Sequence, residues 1–227
     1  MKISAVVKCQ LLDNELLEMT KEAVATIKPY VQELILVDQA SEVGQDWMID
    51  TADIYIRNNK SGGFPLTVHQ GMGVATGDYV AILNNDILFE GDWVTPLIKL
   101  FKKDVGLVHP YMIDWGEPKE TKDNIVYNLS PKMGLYFSAF ILDPKIYKEI
   151  GGWDIDYDFW GYDDWDYYYR MRKAHYNSVW TDKVCYWHKG GATIRKIGRD
   201  YFVAKNKQRF IDKHGRVPEE IDWAYLQ

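Results

Sequence analysis

The stretch Gly77-Asp78-Tyr79-Val80-Ala81-Ile82-Leu83-Asn84-Asn85-Asp86 decides the class of fold. A glycine turn leads into an apolar run, which stops abruptly at small polar residues. Residues 80–83 read as a strand buried on both faces, as in parallel sheets covered by helices above and below. In open α/β sheets the ligand crevice lies beyond the carboxyl ends of the strands. Asn84, Asn85 and Asp86 at such an end offer oxygen atoms and one carboxylate, a donor set for a hard divalent cation. Taken alone, the segment reads equally as a polar turn closing a core strand.

The flanking sequence decides between these readings. Upstream, residues 2–7 and 34–37 are further buried runs, and 53–56 form a short third strand. Between them, residues 14–27 carry apolar side chains at helical spacing, with Asp13 or Asn14 as N-cap and Pro29 as terminator. Asn58-Asn59-Lys60-Ser61-Gly62-Gly63 is a loop by composition. Residues 65–75 predict a helix ahead of the 80–83 strand. Downstream, 92–103 predict an amphipathic helix and 105–109 another strand. This alternation is that of an α/β fold with a Rossmann-like, mostly parallel central sheet flanked by helices. Beyond about residue 110 the pattern breaks into loops and aromatic clusters. No repeat, low-complexity stretch or linker interrupts the chain, so residues 1–227 read as one domain, divided near 110 into a regular half and a variable half.

Composition narrows the function. The 227 residues are 47% apolar, which marks a globular chain. A net charge of -6 argues against a nucleic-acid binder, whose footprint is basic. Nine Trp and sixteen Tyr are many for this size; aromatics fill cores, and this many also suits flat faces for a sugar or a partner. Cys9 and Cys185 lie in apolar, strand-like settings and read as buried free thiols, which fits a reducing, cytoplasmic compartment. No signal peptide or membrane-spanning run is visible, while peripheral membrane association stays open.

Acids recur at the ends of elements. Asp38, in Asp38-Gln39-Ala40-Ser41, follows the second strand and shares the carboxyl edge expected for Asp86. A carboxylate there can accept hydrogen bonds from ribose hydroxyls or a base, or merely cap a turn. A third cluster runs from Gly151-Gly152-Trp153-Asp154 to Trp160-Gly161-Tyr162-Asp163-Asp164-Trp165-Asp166. Residues 163–173 fit a helix with Asp166 and Arg170 spaced as an i,i+4 pair. Acids in a first helical turn suit the dipole. The aromatics beside them suit a sugar site, where rings stack on C–H faces and a carboxylate takes a hydroxyl proton.

Together these segments resemble the family 2 glycosyltransferases, which have the GT-A fold. Val37-Asp38-Gln39-Ala40-Ser41 is similar to the family's V-D-x-x-S segment. The run from Asn59 to Asp86 resembles N-x-G-F followed by A-x-G-D-Y-x-x-x-L-N-N-D. Asn84-Asn85-Asp86 stands at the D-x-D-type metal motif. Gly151-Gly152-Trp153-Asp154 and Gly161-Tyr162-Asp163-Asp164-Trp165-Asp166 resemble G-G-F-D-E and G-x-E-D-x-D. The likeness spans roughly residues 2 to 190 in the family's order. Departures are Lys8-Cys9-Gln10 for the usual T-Y-N, Val68-His69-Gln70 without the common asparagine, and Asn84 for a frequent Asp.

The resemblance implies an inverting transfer of a hexosyl or deoxyhexosyl group from a nucleotide-diphosphate sugar to a hydroxyl of a glycan or other acceptor, as in glycan biosynthesis. It assigns about 1–110 to the nucleotide-sugar half and about 111–227 to the acceptor half. A divalent cation, Mn or Mg, falls to Asp86 and Asn84, with His188 as ligand or as structural histidine. Donor contacts fall to Asp38, Ser41, Asn59, Gly63, Asn84, Asn85 and Lys189, acceptor contacts to Trp153, Trp160 and Tyr162. Asp164 is the general base and Asp163 its neighbour in the catalytic pair. Lys189 is a phosphate-neutralising cation or a solvated loop residue, and Arg195 reads as the latter. Two alternatives stand beside this. A sugar-phosphate nucleotidyltransferase needs a glycine-rich basic loop after the first strand, and residues 8–14 contain no glycine. A catalytically silent carbohydrate-binding protein fits the aromatics but has no need of Asp38, Asp86 and Asp164 together.

Overall fold

The computed structural model describes residues 1–130, 137–190 and 200–223. Strand β1 (Ile3–Cys9) is buried almost throughout. Asp13 then caps helix α1 (Asn14–Ile27), its Oδ1 accepting from the Leu16 N–H at 2.9 Å. Pro29 sits in the 3₁₀ turn that ends this helix. There follow β2 (Glu33–Gln39), α2 (Gln45–Thr51), β3 (Ile54–Asn58), α3 (Gly63–Val74) and β4 (Tyr79–Asn84). These four strands form the parallel half of the sheet in the order β3-β2-β1-β4.

The second half is more regular than its sequence suggests, which corrects the expectation of loops beyond 110. It contains β5 (Ile87–Phe89), α4 (Val94–Ile98), β6 (Val105–Asp114), β7 (Ile125–Tyr127), β8 (Ala139–Leu142), α5 (Pro144–Glu149), α6 (Asp163–Lys173), β9 (Asn177–His188) and α7 (Asp200–His214). The sheet continues from β4 through β8, β6 and β9 to β5, with β7 also paired to β9. Its long ladder, β6 with β9, is parallel, and the short ones are antiparallel. Strand β9 was hidden by a polar interruption. Pro110 pairs with Thr181 and Tyr111 with Cys185, so residues 182–184 bulge out of the ladder. The Asp182 carboxylate in that bulge accepts from the backbone N–H groups of Lys122 and Asn124, organising the segment before β7.

The helix expected over 92–103 is also shorter. Asp92 caps it through Val94 and Thr95, but Leu100 and Phe101 bond back to Leu97 and Ile98 in i+3 turns that end the α-helical pattern. Strand alternation divides the core into two layers. Ile3, Ala5, Val7 and Cys9 of β1 join the layer with α1 and α4. Val6, Ile35, Val37, Val80 and Ile82 join the aromatic layer with α3 and α6, built on Phe64, Phe140, Trp153 and Tyr167. Cys9 and Cys185 are buried free thiols. Among the described residues no helix is long and apolar enough to cross a membrane.

Candidate active site

The carboxyl ends of β2, β1 and β4 lie side by side, with Asp38 in register with Cys9 and Asn84 with Lys8. Asp86 follows β4 immediately, on the same edge. Strand β5 then pairs with the end of β9, setting Ile87 opposite His188. The pairing brings the Asp86 Oδ1 to 3.0 Å from the His188 Nε2, across 102 residues of sequence. Both side chains are largely buried, and the Lys189 N–H donates to the Asp86 carbonyl at 2.9 Å. The other ring nitrogen of His188 lies 3.3 Å from the Met112 sulfur.

This pair fits a divalent cation of the kind held against phosphates. Such ions take one or two protein ligands and complete their shell with phosphate oxygens and water. Carboxylate and imidazole suit Mn or Mg. Among the described residues no group of three His, Cys, Asp or Glu side chains forms a closed metal cage. Asn84 ends β4 and donates its backbone N–H to the Ser138 carbonyl.

The amino end of α6 carries the second group of acids. Burial, then the charge of Asp163, drives the Asp164 pKa well above the ordinary carboxylate range. Burial raises Asp163 as well, less strongly, because its carboxylate accepts from the Trp153 indole N–H at 2.9 Å. Asp164 remains half-buried while Asp163 is enclosed. The first turn therefore presents two carboxylates of different character, one open to a ligand and one fixed. Asp166, one turn on, has a separate task. Burial opposes its charge, but His214, Arg170 and Lys213 hold it down to about 2. Arg170 pairs with it as expected, at 2.8 Å, and also donates to the carbonyls of Ile150 and Gly152.

Several expected site residues are placed differently. Trp153 is 2% exposed and stacked between Phe140 and Tyr167, at centroid distances of 5.6 and 4.4 Å. With both ring faces taken it cannot receive a sugar, so the expectation of an acceptor platform is corrected. Its indole instead fixes Asp163. The Asn85 amide donates to the Thr20 hydroxyl of α1 at 2.7 Å, on the side of the sheet away from Asp163, which corrects its assignment to the donor. Asp38 is fully buried and accepts from the Ser41 N–H, the Tyr55 hydroxyl and the Arg57 guanidinium. The solvent-facing member of that group is Arg57, which the sequence reading passed over. The Ser41 hydroxyl accepts from the Leu11 N–H.

Asn59 is exposed, and Trp160 and Tyr162 are half-buried beside the acids. The Tyr162 hydroxyl donates to Glu219 at 2.7 Å. Lys189 sits over the Trp115 ring at 4.5 Å and bonds to Glu22, so its ammonium is engaged. Gly63 has φ +71, and a Cβ there would fall 2.2 Å from the Phe159 Cα. The adjacent Phe64 N–H donates to the Phe159 carbonyl at 2.9 Å. Gln39 also holds the loop before α3, accepting from Gly62 and donating to Thr67. Arg195 lies outside the described residues. Lys8 was noted only as a departure from a motif, yet it stands at the centre of this edge. A lone lysine in an apolar strand was the signal.

A family model described as Glycosyl transferase family 2 matches residues 9–152. Curated proteins gave no match. Among solved structures, the chain is similar to GalNAc-T7 with UDP, GalNAc and Mn2+, at TM-score 0.70 and 15% identity over 93% of this chain. It is similar to the mannosyltransferase PcManGT from Pyrobaculum calidifontis in complex with GDP-Man and Mn2+, at 0.68 and 17% over 99%. Similarity to S. aureus TarS 1-349 is 0.64 at 10% over 92%. The chain spans 48% of the GalNAc-T7 chain and 69% of each of the others. At such identities the likeness is one of fold.

Proposed function

Because the chain belongs to glycosyl transferase family 2 and has the GT-A fold, we propose that it moves a hexosyl or deoxyhexosyl group from a nucleoside-diphosphate sugar to a hydroxyl of a glycan or other acceptor, with inversion. The observation that carries this reading is the Asp86–His188 pair on the sheet edge. Asp86 and His188 would hold a divalent cation, with Asn84 as a further oxygen donor. Such a cation supplies positive charge against the departing diphosphate. The Asp38–Arg57 group, with Ser41, Asn59 and Gly63, forms the nucleoside side of the cleft. Asp164 takes the proton of the acceptor hydroxyl as the new bond forms, while Asp163, tied to Trp153, orients the helix end. Trp160 and Tyr162 flank the acceptor. The buried free thiols are compatible with a reducing, cytoplasmic setting.

Thermal-shift titration with UDP- and GDP-sugars, with and without manganese, tests the donor, since ligands of the native state raise its stability. We expect one donor class to raise Tm in a manganese-dependent way and Asp86→Ala to abolish that dependence. Unchanged manganese-dependent binding in Asp86→Ala would refute the metal assignment. Release of nucleoside diphosphate from the donor distinguishes an enzyme from a silent binder on the same fold.

A further inference from the structure

Lys8 is the one charged residue of β1. Ile3, Ala5, Val7 and Cys9 point to the α1 layer and Val6 to the opposite, aromatic layer. Alternation puts Lys8 on the face of Val6, the face that also carries Trp153 and Asp163. In the ladder it lies between Val37 of β2 and Asn84 of β4, about 5 Å from each. Residues 80 and 82 of β4 belong to the same aromatic layer, so Asn84 shares the face of Lys8. The carboxylates acting on the ammonium are Asp86 first and Asp163 second. Among the described residues none accepts a hydrogen bond from it. Burial alone pushes its pKa down, and both acids act against that. Lys8 is half-buried, so its ammonium stays open to a ligand at this edge.

We propose that Lys8 is a donor-binding residue, a fixed cation for the diphosphate of the nucleotide sugar, standing beside Asn84 on the sheet edge that carries the Asp86–His188 pair. This rests on the donor reading above and deepens it. The neutral Asn84 matters here, because an aspartate at that ladder position would pair with Lys8 and cancel its charge. Lys8 and Asn84 together move part of the positive charge at the diphosphate from a metal ion to the protein, so donor binding keeps a metal-independent component.

Calorimetric titration of UDP and GDP into the purified chain, in EDTA and in manganese, tests this. Wild type should bind one nucleotide in EDTA. Lys8→Met should weaken that binding about tenfold or more, the usual range for a lost charged hydrogen bond. It should keep a manganese-dependent gain, and Lys8→Arg should restore most of the metal-free affinity. Asn84→Asp should lower metal-free affinity as Lys8→Met does. Without nucleotide, Lys8→Met should melt at or above the wild-type temperature, whereas a structural lysine would lower it. Equal EDTA affinity of Lys8→Met and wild type overturns the proposal. So does nucleotide binding by wild type that needs manganese entirely. In both cases manganese-dependent binding sensitive to Asp86→Ala leaves the glycosyltransferase reading standing. Absence of nucleotide binding in either buffer overturns both.

Discussion

Asp163 and Asp164 are chain neighbours with different surroundings. The Trp153 indole holds the first, while the second accepts from the Trp165 N–H and is raised by burial and by repulsion from Asp163. A carboxylate with a raised pKa is a better proton acceptor near neutral pH. On the function proposed above, Asp164→Asn keeps the shape and loses the base. It should leave donor binding nearly intact and lower turnover by roughly two to four orders of magnitude in a transfer assay. The pH–rate profile should show its acid limb above the ordinary carboxylate range. Asp163→Asn removes the repelling charge, so Asp164 should ionise more readily and the limb should move to lower pH. Stability should run the other way. A carboxyl whose folded pKa is raised stabilises the fold only while protonated, and that contribution is lost as pH rises through the folded pKa. Asp164→Asn should therefore melt higher than wild type in alkaline buffer, with the difference vanishing in acid.

At the scale of elements, α6 is bound to its neighbours by Asp166. Its carboxylate meets Arg170 of the same helix and Lys213 and His214 of α7, while Arg170 reaches back to the loop before Trp153. Asp166→Ala leaves Arg170 and Lys213 facing a void and should cost about 3–5 kcal/mol in a denaturant titration. The Asp166 pKa is depressed to about 2, so its stabilisation is present above the ordinary carboxylate range and fades as pH falls towards 2. An acid titration of wild type against Asp166→Asn should show the two converge only there. Elements differ in how openly the sequence declares them. The parallel strands are mainly apolar runs, α1 has its Asp13 cap, and α6 has acids in its first turn and bases in its last, so their bounds were legible. Strand β9 was not, because Thr181-Asp182-Lys183 interrupts it, and only its pairing with β6 explains that interruption as a bulge. The same holds inside the site. The acids at strand and helix ends showed in one dimension. The place of Lys8 beside Asn84 exists only through sheet register, and counting aromatics could not reveal that both faces of Trp153 are taken.

The molecule as a whole joins a parallel half, which carries Asp38, Lys8 and Asp86, to a mixed half, which carries Asp164. Where the two meet beside the cleft, the contact at Gly63 and Phe159 is made by main-chain atoms. Gly63→Ala places a methyl group into that contact at a positive φ. It should cost at least about 1–3 kcal/mol by thermal melting. Gly73 offers the control, since it lies in α3 with open space around it. Gly73→Ala should gain roughly 0.4–1 kcal/mol through a stiffer unfolded chain. A junction written in backbone atoms has an evolutionary meaning. Side chains on either bank can drift, exchanging one acceptor for another, without altering the width of the channel between donor and base. Mutational scanning under selection for activity should accordingly find position 159 permissive and position 63 nearly invariant. The hinge of specificity would then be free to wander, while the ruler that sets reacting distance is kept by the absence of a single carbon.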